Sequence, residues 1–339
     1  MPSSPVIGMM AHIFTMAPNM DLSVVYPVHI TFATRYILKR IIRCLSNTTQ
    51  GLPDAEHLIA LSGKPRYVSQ AKQLIKASQL SIKILDYTSS TAPYSPGTAR
   101  NFAVKHTTTK HLLFWDIDLL GSSQLYDAIP NQLSALQQDK NAFEMYPCLY
   151  LCSEYTKQFQ GKTKQDFDQA WTDATSLKTN SIEHFAMATS TVLCNKQHFL
   201  EIGAFDEEFV GHMGEDLELL NRLSIAYGKH PFEKDHYEDW PSKVPSELKG
   251  FRKQFALYGL ENLAGQLFTC HLSHSIRLGS LYKKSNSENR NLLVNKIKQK
   301  TENPSLAPRA IDWPFFLTNT LGIKKGYLEV AFRKMRKLL

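Results

Sequence analysis

The 339-residue sequence is poor in the features that mark several large protein classes. Its five cysteines (Cys44, Cys148, Cys152, Cys194, Cys270) are an odd number, and only Cys148 and Cys152 lie close together. That excludes a disulfide framework and a zinc-knuckle spacing, and it fits a reducing cytoplasm. No run reaches the roughly 18 uncharged apolar residues of a transmembrane helix. Residues 1–20 are apolar in places but lack a basic start, and His12 and Pro18 interrupt them, so they read as a leader segment and not a signal peptide. There is no internal repeat, no low-complexity tract and no zinc-finger or RNA-binding signature, so nucleic acid is not an expected partner. Apolar residues make up 43% and charged residues 21%, an ordinary globular mix that excludes wholesale disorder and coiled coil. The net charge of +8 suits an anionic substrate, an anionic membrane surface or, were a binding signature present, nucleic acid.

The first half alternates strand-like and helix-like runs. Leu22 to Ile30 is a buried strand that the pattern breaks at Pro27, and Ala33 to Leu45 has helical spacing. Leu58 to Leu61 and Ile82 to Leu85 read as strands, with a helix over Val68 to Ser78 between them. Thr98 to His106 is helical, and His111 to Ile117 is a short apolar strand. This alternation predicts a mostly parallel sheet with helices on both faces. Glu144 to Cys152 and Ala186 to Cys194 have strand character, as does Gln266 to Cys270. Glu154 to Ile182 is polar and poor in aliphatics and reads as a long loop or lid. Leu217, Leu220, Leu223 and Tyr227 mark a helix face.

Three groups of residues carry candidate chemistry. Asp116 and Asp118 end the apolar run LLFW, and in a strand residues two apart project from one face. Two carboxylates at a strand's carboxyl end suit Mg2+ or Mn2+ bridging nucleotide phosphates. Arg100, after the turn at Pro96-Gly97, can face a phosphate from the same rim. Glu215 and Asp216 open a helix directly after Gly214, where one carboxylate can act as a general base while its neighbour positions a hydroxyl. His271 and His274 stand near a strand end, and an imidazole can complete a metal site begun by carboxylates.

Taken in order, these pieces resemble a known family. Tyr26-Pro27-Val28, PGTARNFA (Pro96 to Ala103), LLFWDID (Leu112 to Asp118), STVLC (Ser190 to Cys194), IGAFDEEFVGHMGED (Ile202 to Asp216) and HLSH (His271 to His274) are similar to the GT-A glycosyltransferases. The resemblance is to the inverting family 2 type, including bacterial capsule-polysaccharide transferases and polymerases of the chondroitin polymerase kind. It implies an α/β fold of the GT-A type, Rossmann-like, with a C-terminal helical extension. The implied domain spans residues 21–300, with a nucleotide-sugar half (21–120) and an acceptor half (121–300), followed by a basic tail (301–339). By the same resemblance Asp118 ligates Mn2+ or Mg2+, and His274 or His271 is a further ligand. Asp116 contacts the donor's ribose or the metal site, Asp216 is the catalytic base and Glu215 binds the acceptor. Tyr26, Pro27, Val28, Asp86 and Arg100 line the nucleotide pocket. Relatives often close the second strand with an acidic pair that reads uracil. Leu61-Ser62-Gly63 stands there instead, which leaves Asp86 as the substitute. His212 and Met213 stand where relatives often carry Trp.

The expected activity is metal-dependent transfer from a UDP-sugar to a surface or capsular glycan. A sugar-nucleotide nucleotidyltransferase would normally carry a glycine-rich basic loop after the first strand, which Val28 to Ala33 lacks. A non-enzymatic basic surface protein would not need four acids at element ends. The tail adds one further expectation, cytoplasmic but peripheral on the membrane. Lys324, Lys325, Arg333, Lys334, Arg336 and Lys337 accompany apolar residues at helical spacing, as in interfacial helices. Deleting Lys324 to Leu339 should abolish salt-sensitive binding to anionic liposomes, each basic residue contributing about 1 kcal/mol, while soluble-acceptor activity persists. Sedimentation with liposomes at two salt concentrations checks this; equal binding by the truncated chain would contradict it.

Overall fold

The structure, a computed structural model, describes residues 20–301 apart from 90, 177–180, 231, 233–234, 243–247 and 275–285. Residues 1–19 of the leader and 302–339 of the basic tail lie outside the described residues. Chain order begins with β1 (Leu22–Ile30), a 3-10 turn (Arg35–Lys39), α1 (Ile41–Gly51), β2 (Glu56–Gly63), α2 (Pro65–Ala77), β3 (Lys83–Asp86), α3 (Pro96–Val104) and β4 (His111–Phe114). It continues with β5 (Leu119–Gly121), α4 (Ser123–Gln138), β6 (Phe143–Met145), β7 (Cys148–Leu151), α5 (Ser153–Gln158), α6 (Lys164–Ser176), β8 (Ile182–Ala186), β9 (Val192–Asn195) and α7 (Lys196–Glu201). The last described elements are α8 (Glu215–Tyr227), β10 (Asp239–Trp240), β11 (Lys249–Gly250), α9 (Phe251–Ala264), β12 (Thr269–His271) and α10 (Asn286–Thr301).

The main sheet has the order β3-β2-β1-β4-β9-β6. Strands β3, β2, β1 and β4 are parallel, and β9 runs antiparallel to both of its neighbours. Side-chain alternation along β1 explains why helices cover both faces. Val24, Tyr26, Val28 and Ile30 join the core under α1, α2 and α4. Val25 faces the opposite core, with Ala99 and Ala103 of α3 and Leu217 and Leu220 of α8. A second sheet, β5-β12-β7-β8, packs with α5, α6 and α9 around a third core. This is a GT-A arrangement.

Several expectations are corrected. Pro27 does not break β1; it stays in register with Ala60 of β2. The carbonyl of Val25 faces β4, accepting from the Trp115 N–H at 3.0 Å, so Pro27, two residues on, turns its missing donor to the same side. Strand β4 has already ended there at Phe114, and no ladder bond is lost. The helix expected from Ala33 starts as a 3-10 turn, and the α-helix runs from Ile41 to Gly51. Glu154 to Ile182 is no structureless lid, for it holds α5 and α6. Phe167, Ala170 and Ala174, spaced three and four apart and buried, supply the core face that aliphatic counting missed. Glu144 to Cys152 splits into β6 and β7, which belong to different sheets.

Tyr26 and Val28 do not line a cleft. Both are buried in the core, and the Tyr26 hydroxyl lies 3.0 Å from Nδ1 of His57. Tyr26→Phe should therefore cost about 1 kcal/mol of stability through the lost hydrogen bond and leave nucleotide affinity unchanged. Chemical denaturation and a nucleoside-diphosphate titration of the same variant check both halves; a large fall in affinity would return Tyr26 to the pocket.

Candidate active site

The carboxyl ends of β1 to β4 form one rim, and the turn after β4 carries the two sequence-singled acids. Because β4 stops at Phe114, Asp116 and Asp118 lie in the turn into β5, not in a strand. Ile117 between them is buried, and the carboxylates diverge to separate partners instead of projecting together.

Asp116 turns toward α3 and α8. Its Oδ1 accepts from Nη2 of Arg100 at 2.7 Å and its Oδ2 from the Ser190 hydroxyl at 2.7 Å. Arg100 is 2% exposed and also reaches Oε1 of Glu215 at 3.3 Å. The approach of α3 to α8 is close at Gly97, where a Cβ would lie 3.1 Å from the Phe205 Cβ and 3.3 Å from the Glu215 Cγ. Burial alone would weaken the Arg100 charge, but Asp116 and Glu215 outweigh it and hold the guanidinium firmly protonated. Asp216 is half-buried, and its Oδ1 accepts from the Leu217 N–H at 2.8 Å.

Asp118 turns the other way. Its Oδ2 lies 3.1 Å from Nε2 of His271 and 3.3 Å from Nε2 of His274. The pairing of β12 with β5 places His271 opposite Leu119, and the Asp118 carbonyl accepts from the Leu272 N–H at 3.0 Å. Rings hold both imidazoles: Tyr150 stacks on His271 at 4.4 Å and Tyr36 on His274 at 4.3 Å. Arg40 donates to the carbonyls of Leu272 at 2.8 Å and Ser273 at 2.5 Å. Burial would raise the Asp118 carboxyl, yet the two histidines hold it well below the usual carboxylate range. One candidate ligand atom from each of Asp118, His271 and His274 lies within 4.8 Å of the others. The His274 Nδ1 is buried and has no partner among the described residues. One carboxylate and two imidazoles suit a first-row divalent transition ion better than Mg2+, which prefers oxygen ligands. Asp116, committed to Arg100 and Ser190, lies outside this set.

Asp86 ends β3 at the outer rim, largely exposed and paired with Lys72 at 2.5 Å. Three contributors were not legible beforehand. Ser190 lies in the STVLC run, whose pattern carries no sign of its bond to Asp116. Tyr36 and Arg40 gave no signal, because their partners lie more than 200 positions away in sequence.

Burial, reinforced by the neighbouring Asp216 and opposed by Arg100, pushes the Glu215 carboxyl up to about 7 from 4.5. A raised carboxyl favours the fold when protonated, so its contribution is full below pH 4.5 and is lost as pH rises to about 7. Glu215→Gln should remove that pH-dependent loss, worth up to about 3 kcal/mol, while its carbonyl still accepts from Arg100. Thermal unfolding of both proteins from pH 4 to 8 checks it; parallel curves would contradict the assignment.

A family model described as glycosyltransferase like family 2 matches residues 23–299. No curated protein sequence matches the chain. Among solved structures, S. aureus TarS (residues 1–349) is 12% identical, over 84% of this chain and 90% of TarS, with a TM-score of 0.34. The mannosyltransferase PcManGT from Pyrobaculum calidifontis, in complex with GDP-Man and Mn2+, is 11% identical over 94% and 88%, with a TM-score of 0.38. The catalytic domain of Drosophila beta1,4-galactosyltransferase 7 is 12% identical over 61% of each chain, with a TM-score of 0.29. The family match spans most of the chain and takes in both acid groups and both histidines, so the chain belongs to glycosyltransferase-like family 2 and is a glycosyltransferase.

Proposed function

We propose that the protein is a metal-dependent inverting glycosyltransferase that moves a sugar from a UDP-sugar to a hydroxyl of a growing surface or capsular glycan. The observation that carries this reading is the division of the acids. Arg100 gathers Asp116 and Glu215, whereas Asp118 sits with His271 and His274. UDP and the capsular acceptor follow the sequence resemblance.

Asp118, His271 and His274 would hold the divalent cation, which when bound supplies positive charge to the leaving diphosphate. Arg100 and Ser190 fix the Asp116 carboxylate toward the donor side. Glu215 has its carboxylate committed to Arg100 and orients the acceptor, whereas Asp216 accepts only from the Leu217 N–H among the described residues. Asp216 is thus the freer base. It takes the proton of the acceptor hydroxyl as that oxygen bonds to the anomeric carbon. The bond from that carbon to the diphosphate oxygen breaks, and its electron pair leaves on the diphosphate. One displacement of this kind inverts the anomeric centre. The catalytic unit is residues 21–300, and the basic tail is its contact with an anionic membrane; no helix among the described residues is long and apolar enough to cross one.

A screen of UDP-sugars for metal-dependent UDP release, with and without glycan acceptors, tests the reading. Asp216→Asn should keep donor affinity and lower kcat about 10²- to 10⁴-fold. Release that is indifferent to metal, or an equal loss of donor affinity in the variant, would overturn it.

A further inference from the structure

The backbone that leads into the acid pair is strained. Gly211, Met213 and Gly214 have φ of +85°, +78° and +115°. Gly214 needs this freedom, since a Cβ there would lie 2.5 Å from the Phe209 ring. Met213 is not a glycine, and an L side chain in the left-handed region costs free energy that the surroundings must offset. Strain immediately before a catalytic pair calls for something that over-determines the loop.

That something comes largely from α10. Asn289 is 5% exposed, and its Nδ2 donates to the carbonyls of both Val210 and His212, at 3.0 Å each. An amide nitrogen carries two hydrogens, so both donors of this side chain are spent on the Val210–Gly211 and His212–Met213 peptides. On the other side the Gly211 N–H donates to the Tyr94 carbonyl at 3.1 Å, and the Ser95 hydroxyl to the Phe209 carbonyl at 2.8 Å. Elsewhere on α10, Arg290 pairs with Asp239 at 2.6 Å, a tie that does not touch the loop.

We propose that Asn289 is a positioning residue for Glu215 and Asp216: its amide holds residues 210–214 in the one backbone path from which α8 starts with its acids aimed at Arg100 and the acceptor. The proposal rests on the reading of Asp216 as the base. Neither aspartate, which cannot donate, nor alanine can replace the amide, and misplacement of a base by about an ångström costs up to about a hundredfold in rate.

The test uses the full chain with Asn289→Ala, Asn289→Asp and, as a control for general docking of α10, Arg290→Met. Both Asn289 variants should lower kcat about tenfold or more with UDP affinity, by calorimetry, within about twofold of the parent. Arg290→Met should lower the melting temperature but leave kcat within about twofold. Adding Met213→Gly to Asn289→Ala should recover a measurable part of kcat, because glycine adopts the left-handed conformation without penalty. Amide hydrogen exchange over 211–218 should quicken in the Asn289 variants and not in Arg290→Met. A kcat loss no larger than that of Arg290→Met, a parallel loss of UDP affinity, or absence of rescue by glycine would overturn the proposal. If the parent transfers no sugar, the function reading fails by itself; exchange quickened only over 211–218 would still support positioning, and unchanged exchange there would contradict it.

Discussion

A single buried guanidinium sets how the acids of this site share charge. Arg100 bonds Asp116 and Glu215 together, one from the turn after β4 and one from the first turn of α8. Without it, Asp116, Glu215 and Asp216 would crowd like charges at the junction of two elements. Removal of one partner from a buried charge pair typically costs about 3–5 kcal/mol, because the remaining charge is left uncompensated. The first turn of α3 packs close against α8: a Cβ at Gly97, its second residue, would lie 3.1 Å from the Phe205 Cβ and 3.3 Å from the Glu215 Cγ, so those side chains would have to give by a few tenths of an ångström. The N-terminus of α8 adds a second favourable field for its acids. Arg100 therefore ties the turn after β4 to the first turn of α8 with one group.

The second constraint is the turn from β4 to β5, which joins the two sheets. It sends Asp116 to the large sheet's helices and Asp118 to the small sheet, where β12 delivers His271. The chain just after β1 reaches across to the same place, with Tyr36 on the His274 ring and Arg40 on the carbonyls beside it. Ring stacking and guanidinium–carbonyl bonds of this kind orient ligand groups that would otherwise rotate freely. The site is thus assembled from parts of the chain that are distant in sequence and rigid locally.

That assembly explains what could be read beforehand. The apolar run of β1, the apolar run from His111 to Ile117 and the acid-opened α8 follow local rules, and the structure contains all three, with the strand from His111 ending at Phe114. For Asp116 and Asp118 the geometry that the sequence predicts differs from the structure. Strand alternation was applied to two residues that lie just beyond the strand, where a buried Ile117 turns them apart. The resemblance puts Tyr26 in the nucleotide pocket, whereas its position in β1 points it into the core. Arg100 was expected at the nucleotide rim, but nothing local reveals that two carboxylates from elsewhere will bury it. Asn289 gave no signal at all: an amide in a polar helix becomes informative only when the two carbonyls it meets, 77 and 79 residues away, are known.

The division of Asp116 from Asp118 is the claim on which the rest stands, and cation affinity reads it directly. Mn2+ titration followed by electron paramagnetic resonance should compare the parent with Asp118→Asn and Asp116→Asn. The account predicts that Asp118→Asn weakens Mn2+ by at least about tenfold, while Asp116→Asn stays within about threefold of the parent. Equal weakening by the two substitutions, or weakening by Asp116→Asn alone, would contradict it.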